Sequence, residues 1–153
     1  MQRRNIAPVA EIILDGIVEY VPYEDKNHIT DYIGVSELKT VKTFDGEKHI
    51  RSGNTFAFCP EMEQRIAWRR REANVRMAFS DAPIEPENFE KRLIESYYGE
   101  VDSKCFVHYS ELSGHLWTDE DFKVGGHDLL EILKRHEGQF CHIELELFKT
   151  EKS

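Results

Sequence analysis

The sequence predicts an α+β fold, a single domain over residues 1–153 with a mainly antiparallel sheet and about three helices packed on it. Three observations lead there. Short alternating apolar stretches outnumber every other pattern, glycine-containing pairs join many of them as tight turns, and three stretches carry a 3.6-residue apolar period with matching end signals.

Val9 to Val21 is apolar enough to be buried and is divided by Asp15-Gly16. Asp-Gly between apolar flanks is a strong hairpin signal, so Glu11–Leu14 and Ile17–Val21 are expected to pair; one bent strand bulged at Gly16 is the alternative. Pro22 is expected to end the run, and the polar stretch Tyr23–Ser36 reads as a loop. A second Asp-Gly, Asp45-Gly46, joins Lys39–Phe44 to Glu47–Arg51 as a hairpin. Ser52-Gly53-Asn54 reads as a turn, and Thr55–Cys59 as a short strand with Phe56 and Phe58 on one face.

Pro60 suits a first helical position and predicts a helix over 61–73, with Glu61 and Glu63 at its positive end and Arg69, Arg70 and Arg71 at its negative end. A hairpin of Arg65–Arg71 with Val75–Phe79 is the competing reading, and the alternation of Val75, Met77 and Phe79 makes a strand in either case. Ser80–Pro86 is a proline-rich surface connection. Pro86–Tyr98 has Phe89, Leu93, Ile94 and Tyr97 at helical spacing and Gly99 just beyond, which predicts a second helix. Lys104–Glu111 reads as a strand, Ser113-Gly114 as a turn, and His115–Trp117 as its partner. Thr118–Asp121 is expected to cap a helical turn before Phe122–Val124.

The stretch Gly125–Phe148 is the clearest. Leu129, Leu130, Ile132 and Leu133 share one side of a helix over His127–Glu137, with Asp128 as its cap and Gly138 as its stop. From Gln139 to Phe148 the period becomes two. Cys141, Ile143, Leu145 and Leu147 face the core, and His142, Glu144 and Glu146 are expected to face water.

Composition excludes several classes. The chain is 40% hydrophobic and 32% charged, which suits a globular domain rather than a disordered one. No apolar run approaches the roughly 18 residues that a membrane helix needs, and Glu11 and Asp15 spoil the N-terminal stretch as a signal peptide. Three cysteines in apolar contexts suit reduced thiols and a cytoplasmic location. The net charge of −9 is uneven, because residues 83–153 hold 8 Lys/Arg against 16 Asp/Glu. Such a surface disfavours nucleic acid and anionic membranes and favours a basic partner protein.

The candidate sites are few. Arg65, Arg69, Arg70, Arg71 and Arg76, with Trp68 among them, form a basic island able to grip and stack on an anionic, nucleotide-like ligand. His108, His115 and His142 are the candidates for acid–base or metal-assisted phosphoester hydrolysis, together with Cys105 and Cys141. Strand alternation sends Cys105 and His108 to opposite faces, and Cys141 and His142 likewise, so no metal is expected. His28-Ile29-Thr30 and His142-Ile143-Glu144 resemble the paired His-x-Thr/Ser motifs of two-histidine phosphoesterases, but Glu144 stands where a hydroxyl would bind phosphate. Gly125-Gly126 precedes a helix, where free amides bind anions, yet Asp128 is the obvious occupant.

Two functional readings follow. The favoured one is a cytoplasmic binding or regulatory protein without catalysis or cofactor. It would act through its acidic surface on a partner protein, or through the arginine/tryptophan cluster on an anionic ligand, with a homo-oligomer compatible with either. The other is a histidine- or metal-dependent phosphoester hydrolase.

Overall fold

The structure, a computed structural model, describes residues 8–25, 28–44, 46–58, 71–109 and 116–149; for 23–25, 28–30, 103–109 and 116–120 it describes the backbone alone. Its strands are β1 (Ala10–Asp25), β2 (His28–Thr43), β3 (Gly46–Ala57), β4 (Arg71–Ser80), β5 (Glu95–Tyr109), β6 (Leu116–Val124), the two-residue β7 (His127–Asp128) and β8 (Phe140–Lys149). All pair antiparallel in one sheet of order β3-β2-β1-β8-β4-β5-β6-β7. The strands nearest the chain's two ends, β1 and β8, therefore lie side by side in the middle.

The three-helix α+β expectation is overturned, since the described residues are mostly antiparallel sheet. Among the described residues there is one α-helix, α1 (Leu129–Arg135), and one 3-10 helix (Pro86–Lys91). The helix expected over 61–73 falls mainly outside the described residues, but its last three positions, Arg71–Ala73, already belong to β4. The helix expected over Pro86–Tyr98 stops at Lys91. Ser96, Tyr97 and Tyr98 then pair with β4, and Leu93, assigned to the buried face, is 92% exposed. Aromatic residues offered a neighbouring strand edge prefer the sheet, and that tertiary choice overrides the local period.

The expected loop Tyr23–Ser36 is instead the end of β1 and most of β2. Asp15-Gly16 is no hairpin, because β1 runs through it as a single strand. Gly16 is buried, and a Cβ there would stand 2.0 Å from the Ser36 carbonyl oxygen, so this glycine serves close strand approach. Pro22 does not end β1 either. It pairs with Asp31 of β2, in a part of β1 beyond the last residue paired with β8, Ile17, so its missing N–H costs no ladder bond on that side. Asp45-Gly46 does mark the β2–β3 hairpin. Ser52-Gly53-Asn54 is a bulge within β3, where the register skips between Ser36↔Thr55 and Leu38↔Arg51 and leaves three residues opposite Glu37. Thr118–Asp121 lies in β6, not in a helical turn.

The sheet curls around α1. The helix touches β6 on one side and β1 and β2 on the other, and Phe58, just past β3, packs edge-on against Phe122 of β6 at 5.4 Å. Leu129, Leu130, Ile132 and Leu133 are all buried in this concave core with Val18, Val75, Met77, Ile143, Leu145 and Leu147. The Gly125–Phe148 reading is thus largely realised. Asp128 caps α1 through Oδ1, which accepts from the Leu130 and Phe122 amides at 3.1 Å each. Gly125 has a packing role, because a Cβ on it (φ +57) would stand 2.4 Å from the Tyr98 carbonyl oxygen.

One part of that reading fails. His142 does not face water; it is 3% exposed. The 3-10 helix lies across the convex face at that point and lays Phe89 over the imidazole, 4.4 Å between ring centroids, in a second cluster with Ala78, Ile84 and Ile94.

Candidate interaction surface

On the convex face the registers align three rows: Asp15–His142–Ala78, Ile13–Glu144–Arg76–Ser96 and Glu11–Glu146–Asn74–Tyr98. Glu72 and Glu100 form the next pair. Strand alternation places these carboxylates outward because the intervening residues, such as Ile143, Leu145 and Val75, fill the core. Arg76 is the cation among them and is already engaged. It bonds Glu144 at 3.1 Å and Glu90 of the 3-10 helix, and its guanidinium lies 5.1 Å from the Phe89 ring centroid. Those carboxylates hold the Arg76 guanidinium above its usual pKa, while Arg76 holds Glu90 below the usual carboxylate range. Exposed Ile13 (66%) sits among the acids, beside a notch of about 260 Å³ lined by Glu11, Ile12, Ile13, Glu144, Leu145 and Glu146, with Arg76 at its side.

His142 is enclosed by the same groups. Its Nε2 lies 3.2 Å from Glu144, its Nδ1 lies 3.9 Å from Asp15, and Nδ1 has no hydrogen-bond partner among the described residues. Burial pushes the Asp15 carboxyl above its ordinary pKa; His142 opposes that rise, and Glu85 and Glu37 add to it. An imidazole sealed by Phe89 braces the sheet but offers no face to a substrate.

The sequence candidates within the described residues do not come together. Arg76 is outward, whereas Arg71 has the parity of Ala73, Val75 and Met77 and points to the concave side; its Nε is buried without a hydrogen-bond partner among the described residues. Arg65, Trp68, Arg69, Arg70 and His115 lie outside the described residues. His108 is on β5 opposite Trp117 of β6. Tracing the registers from His142 through Ala78 leaves His108 fourteen positions further along, roughly 45 Å of straight strand, so the two histidines cannot share a pocket. His28 opens β2, opposite Asp25. Among the described residues no group of His, Cys, Asp and Glu is placed to hold a metal. Cys141 is a free, buried thiol whose pKa burial pushes up to about 12, which leaves it inert at neutral pH.

A second surface lies where β2 and β3 leave the rest of the sheet. From Glu37 onward β2 leaves β1: Gly16↔Glu37 is the last β1–β2 pair, although β1 continues back to Ala10 and β2 on to Thr43. Residues Leu38–Thr43 and Gly46–Arg51 continue as a two-stranded ribbon of six residue pairs, roughly 20 Å long. The bulge at 52–54 sits where it departs, and a cleft of about 480 Å³ opens in the fork, with Ile13, Asp15, Glu37, Asn54 and Phe56 in its walls. The ribbon is wet on both faces, and Phe44 at its tip is fully exposed. It carries Lys39, Lys42, Lys48 and Arg51 against Asp45 and Glu47, a positive excess on an acidic chain. At its base Arg51 donates to Glu19 through Nε (2.8 Å) and Nη2 (2.6 Å), which holds the Glu19 carboxyl below its usual range. Among the described residues no carboxylate forms an ion pair with Lys39, Lys42 or Lys48. The sequence signal for this surface is the run of cations flanking an Asp-Gly pair.

No described helix is long and apolar enough to cross a membrane. The chain matches no protein-family model, no curated protein and no solved structure.

Proposed function

We propose that this chain is a non-catalytic binding protein of the cytoplasm that works through two surfaces of opposite charge carried by one sheet. The observation that carries this reading is the ribbon Leu38–Arg51. A two-stranded ribbon with both faces in water gains little from its own packing, and it displays lysines beside a bare phenylalanine. That combination suits contact with an acidic surface that also offers an apolar recess. The convex face suits the reverse, a basic partner, since its own arginine is neutralised and its carboxylates flank exposed Ile13. The free, buried Cys141 supports a reducing compartment. The anionic-ligand version gains no support from Arg71 and Arg76, which point to opposite faces. The hydrolase version gains none from His142 beneath Phe89.

The test uses two fluorescent probes, an oligoglutamate and an oligolysine, read by anisotropy at low and at raised salt. Oligoglutamate binding is expected to fall at least about tenfold in Lys39→Glu/Lys42→Glu/Lys48→Glu, and oligolysine binding to fall as much in Glu11→Lys/Glu146→Lys, with both weakened by salt. Binding of neither probe, or binding indifferent to these changes, refutes the reading.

A further inference from the structure

At the fork between β1 and β2 one edge of β1 lies open. Backbone groups along a strand point alternately to its two edges. Val18 turns both of its groups to β8, its N–H donating to the Gln139 carbonyl at 2.9 Å and its carbonyl accepting from Gly138 at 2.7 Å. The β1–β8 register runs on without a shift, so Gly16, Leu14 and Ile12 face β8 as well, and Glu11 and Ile13 turn their N–H and C=O groups to the other edge. β2 covers that edge only from Gly16 onward, so beside Glu11 and Ile13 it is open among the described residues. The cleft of about 480 Å³ at the fork is lined from both sides of the sheet, since Leu14, Val35 and Phe56 have the core-facing parity and Ile13 and Asp15 the convex one. A space bordered by both parities lies in the plane of the sheet, where a further strand would run.

We propose that this edge takes an extended basic peptide as an added antiparallel strand, its backbone bonded to Glu11 and Ile13 and its basic side chains meeting Glu11 and Asp15. The inference rests on the acidic-face reading above and gives its basic partner a form. Register fixes the peptide's pattern, because side chains directly opposite each other share a face. Residues opposite Glu11 and Asp15 stand on the convex side, beside those carboxylates. Residues opposite Ile12 and Leu14 stand on the concave side, where both are only partly buried against the core and leave apolar surface at the edge. The matching strand is therefore basic at both ends and apolar beside each end.

Charge selects this occupant. The two charged side chains in the cleft's walls, Asp15 and Glu37, are both carboxylates, and Lys39, next along the face that carries Glu37, lies outside those walls. Burial, Glu85 and Glu37 all oppose ionisation of Asp15, so an added cation relieves it. Arg76, two strands from β1, is already held by Glu144 and Glu90. A second copy fits less well, because β1 paired with its own image brings Glu11 and Asp15 against the same two carboxylates, and like charges across a strand pair are destabilising. The edge of β2 across the fork offers less than that of β1, since the ribbon is wet on both faces and β1 is backed by β8 and the core.

Anisotropy of a fluorescent, acetylated Lys-Val-Thr-Val-Lys peptide, together with hydrogen exchange of β1, decides it. The peptide is expected to bind the wild type and to slow amide exchange at Glu11 and Ile13 several-fold. N-methylation of its lysine and threonine amides, which face β1, is expected to weaken binding at least about tenfold, and N-methylation of its valine amides to spare it. Glu11→Lys/Asp15→Asn is expected to weaken binding at least about tenfold as well. So is Ile13→Pro, which removes an N–H from the open edge and none from the ladder with β8. Circular dichroism verifies the fold of each variant, and the methylated peptides carry the test on the wild type should Ile13→Pro not fold. No binding, binding indifferent to the lysine and threonine methyl groups, or binding without slowed exchange at Glu11 and Ile13 overturns the proposal. Slowed exchange there that grows with protein concentration alone makes a second copy the occupant and excludes the peptide. Failure of this peptide while oligolysine still binds retains the acidic-face reading and removes only strand addition, whereas failure of both removes both.

Discussion

Asp15 shows how one side chain feels both the core and the surface. It stands in the row that leads to buried His142 and is itself half-buried, with Glu37 and Glu85 near enough to oppose its ionisation. Its carboxyl is therefore harder to ionise in the folded chain than in the unfolded one, even with His142 pulling the other way. For an acid whose folded pKa is raised, folding is favoured when the group is protonated. That advantage disappears as pH rises from the ordinary carboxylate range through the folded value. At neutral pH the ionised Asp15 is a net cost. Asp15→Asn is thus expected to raise the melting temperature at pH 7 by no more than a few degrees, because the site is partly wet. The gain should shrink as pH falls and vanish below the ordinary carboxylate range. A variant less stable than wild type at pH 7 would mean that attraction to His142 outweighs burial.

The ribbon is the element whose behaviour is least tied to the core. Its six pairs lack a packed face, so its order depends on the hairpin turn at one end and the Glu19–Arg51 bond at the other. Glu19 is held ionised by that bond, so the anchoring is present above the ordinary carboxylate range and is lost as pH falls through the lowered folded value. Glu19→Gln should speed amide exchange over Leu38–Arg51 several-fold and leave β8 unchanged. The wild type in acid should loosen in the same place first. Equal acceleration in β8 would show that the pair supports the whole sheet and not the ribbon.

Elements also show what the sequence could and could not disclose. Two Asp-Gly pairs carry the same local turn chemistry, and only one is a turn. Gly46 opens into solvent at φ +114, whereas Gly16 lies under the Ser36 carbonyl in a strand between two others. Nothing within a few residues of Asp15 announces that β8, more than a hundred residues away, will pair there. The α1–β8 stretch was legible because its cap, period and stop are all local. His142 was misread because alternation reports the side of a strand but not what lies over it. Here Phe89 does, held by Arg76 through Glu90 and Glu144. The ribbon's charge was in plain view, but its exposure was not, since a pair of strands reads the same whether or not a third continues beside it.

At the scale of the whole molecule the arrangement makes completion of the sheet a late event. β8 is the central strand, paired with β1 from the start of the chain and with β4 from its middle, and its inner residues Cys141, Ile143, Leu145 and Leu147 touch the core that α1 fills. Every ribbon and hairpin can form locally, but β1 and β4 have nothing between them until β8 arrives. Closing so long a loop costs entropy before any contact offsets it, so folding is expected on the millisecond-to-second scale. The same dependence ties the halves together. Circular dichroism and the slowest amide exchange should report a single transition with the same midpoint. Ile143→Ala should lower stability by about 2–5 kcal/mol throughout, leaving no half of the sheet protected. Two separable transitions, with β5–β6 surviving the loss of β1–β8 pairing, would show instead that the sheet is two units sharing one central strand.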